Sequence, residues 1–309
     1  RVVIVANSDV HKGRPGASYP GAALFGAVGG LTCFLVPELT RQSVLDCIRK
    51  RHHYATTGGA HGRPLVTLSA EFSEPATLYH DDPRHGQVTG QSATSAIMGD
   101  IVHLPDGEMT LHAEMRCSAP IERVDIFSGL DLVETVRPYR QDELGSRIRV
   151  VWQGAEYRGR FRQVIWDGSA FLSDNEIISA TPINFFNKDK TLEKTASNEL
   201  HWKALTTGNI GGFDIILADA YNGTLKIETP LIKAGVPIED IGFEDEVFDN
   251  SGVLPRYLKI FRLPTENPHK TMRFSRLIDL KAVGDNPIFL RLTQEDGTLV
   301  WTSPIYVYR

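Results

Sequence analysis

Long hydrophobic runs are missing from this sequence. No stretch approaches the roughly 18 apolar residues that suggest a membrane-spanning helix, so no membrane association is expected. An excess of positive charge is missing as well, since 33 Lys and Arg residues stand against 38 Asp and Glu residues and the two signs are interspersed. Because binding to a phosphate backbone needs a clustered basic face, nucleic acid is not expected as a partner.

Cysteine is scarce too. The three cysteines, Cys33, Cys47 and Cys117, form an odd count without paired spacing, which argues against a disulfide framework. A reducing compartment is compatible with this, and a cytoplasmic location is slightly favoured. The chain opens at Arg1 with neither an initiator Met nor a signal segment, so we expect that an upstream stretch has been removed.

Several familiar catalytic motifs are absent. The sequence has no Gly-x-Ser-x-Gly elbow, no phosphate-binding Gly-x-x-x-x-Gly-Lys loop and no dinucleotide-binding Gly-x-Gly-x-x-Gly. Mechanisms based on a nucleophilic serine or on a nucleotide-binding loop therefore have no support.

The first sixty residues have the pattern of an α/β unit. Val2 to Ala6 is an apolar, mostly β-branched run, typical of a strand that is buried on both faces. A long glycine-rich loop follows, and Leu31 to Val36 predicts a second strand. The segment from Arg41 to Arg51 predicts a helix with Thr40 as N-cap and with three residues facing the core, namely Val44, Leu45 and Ile48.

The rest of the chain has the pattern of antiparallel β-structure. From about Pro64, short alternating stretches are separated by turn residues such as Asp296-Gly297, and Asn222-Gly223 predicts a hairpin. A length of 309 residues favours more than one domain. The predicted fold class is therefore α+β, with an α/β segment over residues 1–63 and a mostly antiparallel β-sandwich over residues 64–309.

Asp9 and His11 are the candidate metal ligands. They follow the first apolar run and lie two residues apart, so both side chains point to the same side if the strand continues. A carboxylate and an imidazole suit a divalent ion such as zinc, manganese or iron, which turns a bound water into a hydroxide nucleophile. The alternative, in which Asp9 caps a turn and His11 is an ordinary loop residue, stays open.

The surroundings of this motif resemble a known family. Ser8-Asp9-Val10-His11, the loop from Lys12 to Gly21, Gly29-Gly30-Leu31-Thr32 and Tyr54-Ala55-Thr56-Thr57-Gly58 are similar to the last part of the PHP (polymerase and histidinol phosphatase) superfamily, in particular to a member family with a domain of unknown function. The resemblance implies a β/α barrel that hydrolyses phosphoesters with metal-activated water. It also implies that Asp9 and His11 ligate metal, while the barrel's other ligands would lie upstream of Arg1.

Lys12 and Arg14 are the candidate catalytic residues. They follow the ligands directly and are suited to neutralise the negative charge that develops on a phosphoester beside the metal. The alternative, that both are solvated loop charges, is equally compatible with the sequence.

Other polar clusters favour ordinary structural roles. His52 and His53 are well placed for the C-terminus of the helix, and the segment from His80 to His85 has the composition of an exposed loop. His112 and Glu114 share the solvent-facing side of a predicted strand. The aromatic residues Trp152, Tyr157, Phe161 and Trp166 favour core packing over a sugar-binding platform.

The leading functional prediction is a metal-dependent hydrolase of phosphoester type with a small-molecule substrate. The alternative is a non-catalytic β-sandwich that binds or interacts with another molecule. An isolated α/β segment would expose strand edges, so we expect it to dock on the sandwich, on a second copy in a homo-oligomer, or on an upstream fragment of the same protein.

Overall fold

A computed structural model describes residues 1–7, 29–57, 63–159, 162–250 and 252–309 of the chain. The described residues are mostly β-structure, and one α-helix occurs among them, α1 (Arg41–Lys50). None of the helices in this described part is long and apolar enough to cross a membrane. In chain order the strands are β1 (Leu31–Phe34), β2 (His53–Thr56), β3 (Leu65–Tyr79), β4 (Gln91–Ile97), β5 (Ile101–His103), β6 (Met109–Arg116), β7 (Ile121–Ser128), β8 (Asp131–Val136), β9 (Arg147–Gln153), β10 (Val164–Ile165), β11 (Gly168–Ser173), β12 (Ile177–Ile183), β13 (Leu192–Ala196), β14 (Glu199–Trp202), β15 (Leu205–Thr206), β16 (Ile210–Leu217), β17 (Thr224–Glu228), β18 (Lys233–Pro237), β19 (Glu246–Asp249), β20 (Tyr257–Leu263), β21 (Thr271–Ile278), β22 (Asp285–Gln294), β23 (Leu299–Thr302) and β24 (Ile305–Tyr308).

The chain folds into two compact units. The first contains the described residues of 1–138 together with 269–309, and the second contains those of 139–268. The second unit is thus inserted into the first, and the division between them does not fall at the predicted boundary between residues 63 and 64. Residues 29–57 belong to the first unit.

The first unit is built on one large sheet. Its described strands run in the order β1-β2-β23-β22-β24-β5-β3-β6-β21, with β4 on β3, and with β7 on β22 and β8 on β7. All of these pairs are antiparallel except β24 with β5. Strand β6 illustrates how the sequence builds the core, because Met109, Leu111, Ala113 and Met115 are buried and alternate with more exposed residues.

The second unit has the arrangement of a β-sandwich. Two five-stranded antiparallel sheets, β13-β14-β11-β17-β18 and β12-β16-β9-β20-β19, share one hydrophobic core. Trp152 of β9 stacks on Trp202 of β14 with ring centroids 5.4 Å apart, and Trp166 is also fully buried. The prediction that Trp152 and Trp166 fill the core is confirmed, whereas Tyr157 is exposed and Phe161 lies outside the described residues.

The α/β segment differs from its prediction in three ways. Residues 2–6 form no strand, and Val2 and Val5 are 81% and 60% exposed, because no described strand pairs with this run. Strands β1 and β2 pair antiparallel, whereas consecutive strands of a β/α barrel are parallel, so the barrel piece is not confirmed. Strand β2 instead pairs with β23 and joins the large sheet.

Helix α1 occurs where the sequence predicts it. Thr40 is its N-cap and accepts a hydrogen bond from the Ser43 backbone N–H, as predicted. The predicted core face is only partly right: Val44 is half-buried, but Leu45 and Ile48 are 42% and 47% exposed, and Cys47 is the helix residue that is buried. Helix α1 therefore buries the side that carries Cys47, whereas Leu45 and Ile48 face solvent.

The hairpin predicted at Asn222-Gly223 is also wrong. Strand β16 pairs with β9 and β12 in one sheet, whereas β17 pairs with β11 and β18 in the other, so this turn carries the chain between sheets. The turn at Asp296-Gly297 does join two paired strands, β22 and β23. Local turn chemistry thus predicts both turns but cannot tell which strands they connect.

Candidate metal centre

The residues predicted as metal ligands and catalytic groups, Asp9, His11, Lys12 and Arg14, lie outside the described residues. The described residues on either side of their segment lie close together. The Gly30 backbone N–H donates to the Asn7 carbonyl oxygen at 2.9 Å. Thr32 donates its hydroxyl to the Ala6 carbonyl oxygen and accepts from the Ala6 N–H. These bonds hold the residues before the Asp9/His11 motif against the start of β1.

Three residues distant in sequence form a second candidate site in the first unit. His52, His80 and Asp100 each place one potential ligand atom within 4.8 Å of the other two. His52 Nε2 lies 2.9 Å from Asp100 Oδ1, and His80 Nδ1 lies 3.7 Å from the same oxygen. The two imidazole rings meet edge to face with centroids 6.2 Å apart. We call these three residues the His–His–Asp cluster.

His52 is positioned by the end of helix α1. Arg51 ends the helix in the left-handed conformation (φ 63°), and the His52 N–H then donates to the Cys47 carbonyl oxygen at 3.0 Å. The His52 carbonyl oxygen in turn accepts from the Leu35 N–H and from the Cys47 thiol. These bonds satisfy groups that a helix end leaves without intrahelical partners, so the backbone that carries the imidazole is fixed.

Asp100 is positioned by the turn between β4 and β5. Its Oδ2 accepts a hydrogen bond from the Ile97 N–H at 2.9 Å, so Oδ1 is the oxygen that faces the two imidazoles. Gly99 precedes it with φ at +97°, and a Cβ atom there would come within 2.4 Å of the Arg51 carbonyl oxygen. Glycine therefore allows the Asp100 turn to approach the end of the helix closely.

Arg51 ties the other parts of the cluster together. Its Nε donates to the Gly99 carbonyl oxygen at 2.9 Å, and its Nη2 donates to the His80 carbonyl oxygen at 2.5 Å. One guanidinium group thus holds the backbone next to Asp100 and the backbone of His80 itself. The Arg51 side chain is not a candidate metal ligand, but it fixes the separation of His80 and Asp100, which are.

The segment after His80 is fixed by Asp82. The Asp82 carboxylate caps the short 3₁₀ turn Pro83–His85 by accepting from the Arg84 N–H. It also forms an ion pair with the buried Arg1 guanidinium at 2.7 Å. Burial opposes ionisation of Asp82, but the hydrogen bonds from Arg84 and the charge of Arg1 outweigh it and hold the pKa of the carboxyl well below its usual range.

His80 combines a partly exposed ring with an orphaned nitrogen. Its side chain is 36% exposed, yet Nδ1 is buried and has no hydrogen-bond partner among the described residues. Burial lowers the pKa of the imidazole and the charge of Lys50 lowers it further, while Asp100 and Asp81 partly offset both effects. The lowered pKa favours the neutral ring, and its buried Nδ1 lies 3.7 Å from Asp100 Oδ1.

This arrangement has the chemistry of a transition-metal site. Neutral imidazole and carboxylate are ligands that suit zinc and related ions, whereas magnesium and calcium prefer all-oxygen sites. Asp100 is 5% exposed, His52 14% and His80 36%, so the cluster opens to solvent on the His80 side. Without an ion, the same geometry is a His52–Asp100 hydrogen bond beside a second imidazole.

Sequence patterns carried little sign of this cluster. His52 was expected to interact with the helix end and His80 to lie in an exposed loop, and both expectations describe the local structure of each residue. Asp100 lies in a turn that carries no motif. The useful sign was the concentration of titratable residues from His80 to His85, but the fold had to bring Asp100 and His52 to them.

The prediction that His53 lies at the helix C-terminus is wrong, because His53 begins strand β2 and is buried. His112 and Glu114 lie on the more exposed side of β6, as predicted. His112 Nδ1 lies 2.7 Å from the Ser275 hydroxyl and Nε2 lies 3.5 Å from the Glu71 carboxylate. No metal-competent group that includes these two residues occurs among the described part of the chain.

Comparisons with known proteins gave no relative: no protein-family model matches the chain, and no curated protein or solved structure matches it either.

Proposed function

We propose that this chain belongs to a metal-dependent hydrolase, of phosphoester type, that uses metal-activated water. The observation that carries the proposal is the Ser8-Asp9-Val10-His11 motif after an apolar run, within a segment that resembles the PHP superfamily. Asp9 and His11 would hold a divalent ion such as zinc, manganese or iron, and ligands from an upstream part of the protein would complete the site. The ion would lower the pKa of its water to near neutrality.

Lys12 and Arg14 have a defined role in this proposal. Both are cations that follow the ligands directly, so they are suited to bind the phosphoester and to offset the charge that develops during attack. The hydrogen bonds of Asn7 with Gly30 and of Ala6 with Thr32 support the proposal, because they fix the point at which the motif's segment joins the fold.

The test is metal content per chain, measured by elemental analysis on the purified protein and on an Asp9→Ala/His11→Ala double variant. We expect the double variant to contain less metal per chain than the unmodified protein, by the ion that Asp9 and His11 hold. A Lys12→Ala/Arg14→Ala double variant serves as the matched control, since it should keep the metal and lose hydrolysis of p-nitrophenyl phosphate. Equal metal content in the protein and the Asp9→Ala/His11→Ala variant would contradict the proposal.

A non-catalytic binding module is the second candidate function. It is favoured by a cleft in the second unit that is lined by Trp152, Asn184, Phe185 and Lys190, among others. The Trp152 indole N–H is buried without a hydrogen-bond partner among the described residues, and a small polar ligand that reached it from the cleft would satisfy it. Hydrolysis that persists in a chain without metal and without Asp9 and His11 would say nothing about ligand binding in the cleft. Absence of metal from every variant would favour the binding module.

A further inference from the structure

We propose that His52, His80 and Asp100 bind a zinc ion without ligands from the Asp9/His11 motif. The inference does not rest on the proposed hydrolase function, since it needs neither Asp9 nor His11. It assigns a ligand to a group of side chains that lie close together in the first unit. The ion would be held by His52 Nε2, one ring nitrogen of His80 and Asp100 Oδ1.

The distances match the size of a zinc site. With zinc–ligand bonds of about 2.0–2.2 Å, tetrahedral ligand atoms lie roughly 3.3–3.6 Å from one another. The separation from Asp100 Oδ1 is 2.9 Å for His52 Nε2 and 3.7 Å for His80 Nδ1. These two values bracket the expected separation, and the ligand atoms of His52 and His80 lie within 4.8 Å of one another.

The protonation states also fit. Binding requires a lone pair on His52 Nε2, so any proton shared with Asp100 Oδ1 moves to Nδ1 of the ring or to solvent. His80 Nδ1 has no hydrogen bond to lose, and a ligand at this nitrogen would satisfy a buried polar atom. Three protein ligands leave one tetrahedral position for water, an arrangement typical of open zinc sites.

Surrounding residues hold the ligands in place. Arg51 bonds to the backbone of Gly99 and His80, and Ile97 bonds to the second oxygen of Asp100. Such outer partners orient metal ligands and limit the reorganisation needed on binding. The charges near His80 are mixed, since Lys50 opposes a cation while Asp81 and Asp100 favour it. The site therefore depends on direct ligation more than on a general negative field.

The site would also act as a cross-link. Its three ligands come from the end of α1, from the segment after β3 and from the turn between β4 and β5. An ion bound to the folded chain and not to the unfolded chain raises stability by mass action. We therefore expect zinc to raise the melting temperature of the protein as well as to bind stoichiometrically.

The experiment uses the full chain, stripped with EDTA and titrated with Zn²⁺ in competition with a chromophoric chelator. His80→Ala is the main variant, because its ring is partly exposed and makes no hydrogen bond among the described residues. We expect it to lower zinc affinity at least about tenfold and to remove the zinc-dependent rise in melting temperature. Asp100→Asn, which keeps the side-chain shape, should do the same.

His112→Ala is the matched control. Its side chain is 34% exposed against 36% for His80, and it lies in the same unit beside a carboxylate but outside the cluster. We expect its zinc affinity to equal that of the unmodified chain. Co²⁺ provides a second readout. The visible spectrum of the Co²⁺-loaded control should show the absorption bands of four-coordinate nitrogen and oxygen ligation, and these bands should be absent in His80→Ala.

The Asp9→Ala/His11→Ala variant separates this inference from the proposed function. Zinc that survives in that variant and is lost in His80→Ala supports the inference, whatever becomes of hydrolysis. The inference is overturned if neither zinc affinity nor melting temperature changes in His80→Ala and Asp100→Asn. Loss of metal only in Asp9→Ala/His11→Ala would then support the hydrolase proposal alone.

Discussion

The Arg149 guanidinium and the Asp214 carboxylate form a two-point ion pair inside the second unit. Arg149 Nε donates to Asp214 Oδ1 at 2.7 Å and Nη2 donates to Oδ2 at 2.9 Å. Both side chains are buried, and Arg147 donates to the same carboxylate. Burial opposes ionisation of Asp214, but the charges and hydrogen bonds of Arg149 and Arg147 lower the pKa of its carboxyl.

Replacing Asp214 should therefore destabilise the protein strongly. Asp214→Asn leaves buried guanidinium charge without its carboxylate, and we expect the free energy of unfolding to fall by about 3–5 kcal/mol. Urea unfolding followed by tryptophan fluorescence measures this. The control is Glu228→Gln, whose pair with Lys233 is exposed and should change little. Equal effects of the two substitutions would refute a special role for the buried pair.

The turn at Gly223 should tolerate no side chain. Its φ is +96°, and a Cβ atom would lie 2.1 Å from the Ser173 carbonyl oxygen. Gly223→Ala adds a steric clash to a backbone strain of about 1–3 kcal/mol. Gly284→Ala is the control for strain alone, because φ is +95° there and nothing lies within 4 Å of the added carbon. Thermal unfolding of both variants should show the larger loss for Gly223→Ala, and a smaller loss there would disprove the clash.

Acidification should weaken the fold through His53. The residue is buried in β2, and burial, followed by the charges of His52 and Arg51, lowers the pKa of its imidazole. The unfolded chain binds this proton at the ordinary pKa of about 6.5, so stability falls as pH drops from there toward the folded-state pKa, by up to about 1.4 kcal/mol per pH unit. Above about pH 6.5, the stabilising contribution of neutral His53 is fully present.

Urea unfolding of the protein and of His53→Gln at pH 7.5, 6.5 and 5.5 measures this dependence. The variant cannot take up the proton, so its stability should fall less between pH 6.5 and 5.5. His112→Gln, at a partly exposed histidine, should behave like the unmodified protein. The interpretation fails if His53→Gln keeps the full acid sensitivity.

Zinc binding at the His–His–Asp cluster should be linked to protons. Each imidazole must be neutral to bind, so affinity should fall by up to about tenfold per pH unit for each ligand histidine once the pH is below the pKa of that histidine. The lowered pKa of His80 means that its share of the loss begins at a lower pH than for an ordinary histidine. Competition titrations between pH 7.5 and 5.5 test this, and a zinc affinity that is constant over this range would contradict ligation by imidazole.

Local patterns in the sequence predicted much of the secondary structure. The N-cap at Thr40 and the alternation in β6 each depend on neighbouring residues, so the sequence was sufficient to place them. The core role of Trp152 and Trp166 followed from residue size and polarity. The Asp9/His11 motif stays a prediction, because it lies outside the described residues.

The candidate site could not be predicted in the same way. His52, His80 and Asp100 meet because Gly99 allows a turn to approach the end of α1 and because Arg51 joins the two backbones. Each of these contacts joins residues far apart in the chain. No spacing rule covers such contacts, since the separation in sequence says nothing about which strands become neighbours.

By itself the sequence determined where the chain bends, which residues alternate between core and solvent, and that β-structure predominates, because turn chemistry and side-chain polarity act over a few residues. Tertiary structure decided the rest: the antiparallel pairing of β1 with β2, the transfer of the chain between sheets at Asn222-Gly223, the burial of Cys47 in place of Leu45 and Ile48, and the meeting of two histidines with Asp100. These outcomes depend on which distant segments exclude water together, and that choice is made by the whole core.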